Sequence, residues 1–420
     1  MNSRIRLSAA VAALLLHTLA SPALAQPSAH PRVRAALDSI RAHNAWTLEQ
    51  QVSICEIPAP PFKEADRGAE LKRRFEALGL RDVRVDEVGN VIATRVGAGP
   101  GAGPSVVLSA HLDTVFPEGT DVTVKREGTR FRAPGIGDDC RGLTVLLAVA
   151  RAFAEANVVT EGTVHFVGTV GEEGAGNLRG VRHLFEQEMK GRVDYFISVD
   201  GTGIGITSRA VGSHRYRVSY RGPGGHSYGD FGMPNPLHAL GRAIALVSEL
   251  RTPARPRTTF SVGVVSGGTS VNSISGEGTM EVDLRSESAQ ALAALDAEFQ
   301  RAIRRALAAE NARWPRSRTR LTLAIDTIGI RPAGAQLDTA RIVRVAQAAA
   351  RALGVDPGAT QASSTDSNVP IALGVPAITI DGGGSGGGAH SLDEWYDDGE
   401  RGWIGPQWAA LIVAGLAGVR

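Results

Sequence analysis

The sequence predicts an α/β fold in which a body built on a mostly parallel sheet is interrupted by an inserted α+β domain. Three observations carry this. Continuous apolar runs at 106–109, 163–170 and 193–199 alternate with helical patterns, as strands buried on both faces do. After about residue 210 the pattern turns to alternation, as in Arg215 to Tyr220, which suits an antiparallel strand with one wet face. Near Arg331 the first pattern returns. A chain of 420 residues accommodates this division, since a domain takes roughly 100–200. The expected organisation is a leader at 1–25, a body in two pieces at 26–210 and 331–420, and an insertion at 211–330.

The leader comes first. Arg4 and Arg6 precede an apolar run from Leu7 to Leu16, followed by Pro22 and the triplet Ala23-Leu24-Ala25. This is the pattern of a secretory signal peptide cut before Gln26. The run is shorter than the ~20 residues a membrane span needs. Export to the periplasm or beyond is therefore expected, with no membrane span left after cleavage. Residues 33–54 and 62–78 read as amphipathic helices joined by Pro58-Ala59-Pro60-Pro61. A helix from Leu143 to Ala154 follows the first buried strand, and another from Leu178 to Met189 follows the second. Within the insertion a helix from Pro236 to Leu250 precedes strands at 259–265 and 278–285 and a helix at about 288–309. A helix from Thr339 to Leu353, a strand from Ala377 to Ile380 and a closing helix near 405–418 complete the body. Gly382 to Gly388 lies between that strand and a histidine, which suits a loop whose backbone approaches a ligand closely.

Composition narrows the function. The apolar share of 43% is too high for a disordered chain, and two cysteines cannot build a disulfide scaffold. Without Arg4 and Arg6 the basic and acidic counts are equal at 43, and the arginines are scattered. No nucleic-acid partner is expected, and binding must come from local constellations rather than from global charge.

Acids and histidines fall at strand ends, where open α/β sheets build their ligand sites. His111 and Asp113 stand two apart in extended chain, so the carboxylate can orient the imidazole and leave its other nitrogen for a metal. Gly137-Asp138-Asp139-Cys140 leads into an apolar helix, and one aspartate there suits a helix N-cap while a pair suits a site. Glu172 and Glu173 follow a strand directly. Adjacent carboxylates repel unless a cation or proton lies between them, and one can ligate a metal while its neighbour moves a proton. Asp200 ends the next strand, and His390 follows the glycine run. Two imidazoles and three carboxylates suit a pair of divalent ions.

The segments His111-Leu112-Asp113-Thr114, Gly137-Asp138-Asp139, Gly171-Glu172-Glu173-Gly174, Asp200 and Ala389-His390-Ser391 resemble, in this order, the co-catalytic di-zinc exopeptidases. That family includes carboxypeptidase G, peptidase T and the succinyl-diaminopimelate desuccinylase/acetylornithine deacetylase relatives. The resemblance implies a phosphorylase/hydrolase-like catalytic domain with an inserted lid that mediates homodimerisation. It implies that His111 and Asp200 hold one zinc and Glu173 and His390 the other. It makes Asp139 the bridge, because the family's bridging aspartate precedes one variable residue and Lys-Gly, and Asp139 precedes Cys140 and Arg141-Gly142. Arg141 replaces the usual lysine, and Asp138 stays the alternative. Glu172 is implied as general base and Asp113 as the partner of His111. In the lid, His226 is implied as a donor to the substrate carbonyl oxygen, often across subunits, and Asn272 and Arg285 as holders of the substrate carboxylate.

The expected activity is hydrolysis of a peptide amide bond, with an N-acyl-amino-acid deacylase as the alternative and cobalt or manganese as alternatives to zinc. An exported solute-binding protein would share the leader and the two-domain plan, but it has no need of Glu172 beside Glu173. Cys140 reads as a small buried position, with a disulfide to Cys55 as the alternative in an oxidising compartment.

Overall fold

The computed structural model describes residues 27–99 and 103–420, so the leader at 1–25 lies outside the described residues. Three helices open the body: α1 (Pro31–Ala42), α2 (Asn44–Cys55) and α3 (Ala65–Ala77). The single helix expected over 33–54 breaks at His43, which caps α1 and precedes α2. There follow β1 (Arg81–Val85), β2 (Val91–Arg95), β3 (Ser105–His111), β4 (Lys125–Glu127), β5 (Arg130–Arg132) and α4 (Cys140–Glu155). Then come β6 (Thr163–Thr169), the short α5 (Arg179–His183), β7 (Tyr195–Val199) and β8 (Ile206–Ala210).

The insertion contains β9 (Gly212–Arg221), β10 (Gly225–His226), α6 (Pro236–Ser248), β11 (Thr258–Gly267), β12 (Ser273–Ile274), β13 (Glu277–Ser286), α7 (Ala289–Arg313) and β14 (Thr322–Arg331). The body resumes with β15 (Gly334–Ala335), α8 (Arg341–Ala352), β16 (Gln361–Ser363), α9 (Asn368–Ala372), β17 (Ala377–Ile380), β18 (Ser385–Gly387), β19 (Trp395–Asp397) and α10 (Ile404–Ala417).

The large sheet runs β1-β2-β6-β3-β7-β17-β8-β15, with β16 beside β8. Its central strands β6, β3, β7 and β17 are parallel, and antiparallel strands flank them. Alternate residues of β3 enter different cores. Val106, Leu108 and Ala110 pack with α4 and α10, whereas Val107 packs with Phe185 and Phe196 on the other face. Helix α4 is buried on nearly every side because α1, α2 and α10 cover the face it does not press on the sheet. That explains its almost continuous apolar sequence.

Insertion strands form a second sheet, β11-β13-β9-β14, wholly antiparallel. Strand β14 exceeds the expected βαββα order. One face, with Tyr216, Val218, Tyr220, Met280, Val282 and Leu284, packs on α6 and α7. The other carries cross-strand ion pairs, Arg221 to Glu277 and Arg217 to Glu281 at 2.7 Å and Arg215 to Asp283 at 3.4 Å. A half-wet sheet face is what the alternation at 215–220 required.

Part of the expected glycine loop is the strand β18, which pairs with β19 in a small sheet β18-β19-β5-β4. Its glycines serve backbone packing. A Cβ on Gly384, at φ +65°, would lie 2.5 Å from the Tyr396 ring. Cys55 at the end of α2 and Cys140 at the start of α4 form a disulfide with Cα atoms 5.5 Å apart. Among the described residues no helix is long and apolar enough to cross a membrane.

Candidate metal centre

The parallel strands end on one side of the sheet, and their ends deliver the acids and imidazoles. His111 is the last residue of β3, Glu172 and Glu173 follow β6, and Asp200 follows β7. His390 arrives on the connection between β18 and β19, with φ +64°, in the left-handed region that non-glycine residues rarely occupy.

Asp138 stands at the middle. Its Oδ1 lies 2.9 Å from His111 Nε2 and its Oδ2 3.2 Å from His390 Nε2. His390 Nε2 is also 2.9 Å from Glu173 Oε1. Three groups offer ligand atoms within 4.8 Å of one another: His111, Asp138 and Asp200; Asp138, Glu173 and His390; and His111, Glu172 and Glu173. The place between the two candidate groups, which the resemblance gave to Asp139, is thus occupied by Asp138. Asp139 is the N-cap of α4, and its carboxylate accepts the Gly142 and His111 backbone N–H groups, both at 2.9 Å. The free N–H groups of the helix end claim the residue directly before the helix, which leaves its neighbour for the centre.

Asp113 also acts differently from expectation. Its carboxylate accepts the N–H groups of Glu172 (3.0 Å) and Glu173 (2.8 Å), fixing the loop that bears both acids. His111 Nδ1 lies 3.7 Å from that carboxylate but 3.0 Å from the Asp113 carbonyl oxygen. A carbonyl can only accept, so Nδ1 carries a proton there, and Nε2 is the nitrogen turned to Asp138 and offered to a metal.

The electrostatics test whether these residues suit cations. Burial pushes Asp200 well above the carboxylate range, with Asp138 adding to the effect. Burial also pushes Glu172 up to about 8, against the pull of Arg331. Asp138 is held below the usual range in spite of burial, because both imidazoles bond to it. His390 is correspondingly raised to about 10 by Asp138 and Glu173. Protons on the imidazoles thus balance a buried acid cluster, which is the charge that two divalent ions would balance directly. The donor set, one imidazole and carboxylates per ion with Asp138 shared, fits such ions.

A cavity of about 510 Å³ opens on the centre, lined by Asp138, Glu172, Glu173, Asp200 and His390 on one side. Arg215, Arg285 and Arg331 line it as well. Arg331 ends β14 and donates to Glu172 Oε1 at 3.0 Å, an ion pair the sequence did not signal. Asp283 joins Arg215 (3.4 Å) and Arg285 (2.7 Å). Across β13, β9 and β14, Arg285, Ser213 and Arg331 share one register row, with the Ser213 hydroxyl buried and without a partner among the described residues.

Two expected residues are not brought to the centre. His226 is exposed on β10, where its Nδ1 accepts the N–H groups of Tyr228 and Gly229 at 3.3 and 3.2 Å. Asn272 is exposed too, and its carbonyl oxygen accepts the Ser227 N–H at 3.0 Å. Neither lines the cavity.

Comparison with known proteins agrees with this architecture. The description of peptidase family M20/M25/M40 matches residues 107–402. Carboxypeptidase G2 of Pseudomonas sp. strain RS-16 is 30% identical over 217 residues, 51% of each chain, so the match spans about half the length of that relative. Aminopeptidase PepT of Bacillus cereus superposes with a TM-score of 0.71 at 20% identity, over 88% of this chain and 98% of that one. The YxeP protein of Bacillus subtilis, described as a dinuclear metal-binding peptidase, superposes with a TM-score of 0.67 at 19% identity, over 90% and 99%. These structures share the fold, a mostly parallel central sheet with an inserted lid. With a family match over most of its length, the chain belongs to peptidase family M20/M25/M40.

Proposed function

We propose that this chain is an exported dinuclear metallohydrolase that cleaves an amide bond next to a free carboxylate, releasing an amino acid from a small peptide or an N-acyl amino acid. The observation that carries this reading is one cavity lined by Asp138, itself between His111 and His390, by the Glu172-Glu173 pair and by three arginines. His111, Asp138 and Asp200 would hold one divalent ion, zinc with cobalt or manganese as substitutes, and Asp138, Glu173 and His390 the other. Such ions supply Lewis acidity and make water nucleophilic near neutral pH.

The chain's own groups do the rest. Glu172, with its carboxylate pushed up to about 8, accepts the proton of the attacking water and returns it to the departing amine. Arg285 and Arg331 receive the substrate carboxylate, for which the guanidinium fork is suited. His226 serves the site of a second copy in a lid-mediated homodimer, which accounts for its exposure and for the apolar Tyr228, Phe231 and Val271 exposed near it. The leader pattern and the Cys55–Cys140 disulfide both support an oxidising, exported setting. An acyl amino acid carries the required carboxylate and no ammonium, so the deacylase reading draws on the same arginines.

The test is metal analysis together with a substrate panel of dipeptides, N-acyl amino acids and their C-terminal amides. Turnover of the free acids and not of the amides is expected. Hydrolysis of neither by zinc-, cobalt- or manganese-loaded protein, or equal hydrolysis of both, would overturn the reading.

A further inference from the structure

We infer that Glu394 is a positioning residue that sets the distance between the two ligand loops meeting at Asp138. Its side chain is 2% exposed, and three backbone donors converge on it. Oε2 accepts the Gly135 N–H at 2.8 Å, and Oε1 accepts the N–H groups of Gly137 and of Asp138 itself, each at 2.9 Å. The stretch from Ala133 to Asp139 has no ladder or helix to fix it, so this carboxylate gathers most of its free N–H groups.

The main chain of Glu394 is tied on both sides. Its carbonyl accepts the Ala133 N–H at 3.2 Å, and its N–H donates to Ser391 O at 3.2 Å, one residue beyond His390. Trp395, the next residue, pairs in register with Arg132. Glu394 thus stands between the loop that carries Asp138 and the segment that carries His390. These two ligands approach to 3.2 Å, and each belongs to the Asp138–Glu173–His390 group.

The position is chemically demanding. A buried carboxylate is held there by three backbone N–H groups and by no side-chain cation among the described residues. The carboxylate thus stands against the backbone of Asp138 itself, the acid that both imidazoles touch. Gly137 completes the fit, since a Cβ there would lie 3.3 Å from Glu394 Oε1 and 3.0 Å from Thr202 Cγ2.

Two variants test this. In Glu394→Gln one oxygen still accepts, but the amide faces the Gly135 N–H donor to donor. Gly137→Ala presses on the same contact from the loop side. Zinc and cobalt are titrated into chelator-treated full-length protein, with the visible spectrum of bound cobalt recorded alongside metal-free thermal unfolding. Both variants should bind more weakly by about 10–100-fold, with an altered cobalt spectrum and an affinity loss larger than their lost metal-free stability accounts for. Parent-like affinity and spectrum in both variants would overturn the inference, as would an affinity loss wholly matched by lost metal-free stability. The inference builds on the dinuclear reading. A parent protein that binds two ions yet hydrolyses no amide would refute the proposed activity and leave this result standing.

Discussion

Cutting the Cys55–Cys140 cross-link has a magnitude that follows from chain connectivity. The two residues are 85 apart in sequence, and the bridge closes the segment holding α3, β1 to β5 and both His111 and Asp138. Loop-closure entropy for such a length corresponds to about 4.5 kcal/mol of denatured-state restriction. Both cysteines are fully buried, so Cys55→Ala/Cys140→Ala also loses the packing of two sulfur atoms. The assay is guanidinium unfolding of parent and double variant, each with and without dithiothreitol. The reductant keeps the sulfur atoms and removes only the bond, which separates the two contributions. Oxidised parent should exceed reduced parent by about 3–5 kcal/mol, while the variant should not respond to reductant. Equal midpoints for oxidised and reduced parent would refute the argument, as would an equal response of the variant.

Three further outcomes are expected. Glu172→Gln should lower kcat by about 10²–10⁴-fold with metal content unchanged, measured by steady-state kinetics and elemental analysis, and retained activity would remove Glu172 from proton transfer. Asp138→Asn should fall well short of two bound ions per chain, whereas Asp139→Asn should keep its metal and lose about 1 kcal/mol of unfolding free energy through its weakened cap; the reverse pattern would return the bridge to Asp139. His165 is lowered from 6.5 to about 4 by burial, with Arg84 and Arg192 adding to it. Between those pH values the unfolded chain holds the proton and the folded one does not, so stability present above pH 6.5 is lost as pH falls toward 4. The loss is about 3 kcal/mol, and His165→Gln should flatten urea midpoints over that window relative to the parent.

The two-sheet plan and most of the centre were legible because strand ends announce themselves. An apolar run followed at once by His111, by Glu172-Glu173 or by Asp200 has little other use for a polar residue there. The phase of Asp138-Asp139 was not legible. Which of two adjacent acids faces the centre depends on where α4 starts, and element boundaries are the weakest part of a periodicity reading. Arg331 was missed for a different reason. It stands at the end of β14, and its partner Glu172 is 159 residues away, so no local pattern marks it. Arg215 looked like any wet-face residue of an alternating strand, since only the approach of the lid to the centre gives it meaning. His226 and Asn272 remain matches of sequence that a single copy leaves in solvent.

Arg331 also shows why the inserted lid belongs to the chemistry of the body. The insertion leaves the large sheet after β8 and returns to it at β15, so its last strand, β14, ends against the loop that follows β6. Three contacts fasten that seam. Ile330 N–H donates to Asn177 Oδ1 at 2.9 Å, the Ile330 carbonyl accepts from Arg182, and Arg331 donates to both the carboxylate and the carbonyl of Glu172. Arg215 adds a fourth, 3.4 Å from the Gly174 carbonyl oxygen. These four anchor points on the body lie between Glu172 and Arg182, the segment that bears the Glu172-Glu173 pair, and Arg331 also donates to Ser364 Oγ at 3.1 Å. A rotation of the lid that carried Arg331 away would therefore reach Glu172, because it would withdraw the cation that most opposes burial at that carboxylate, with His111 the lesser one. On the proposed function, a substrate carboxylate paired with Arg331 would weaken its hold on Glu172 in the same way and so couple filling of the arginine pocket to the proton affinity of Glu172.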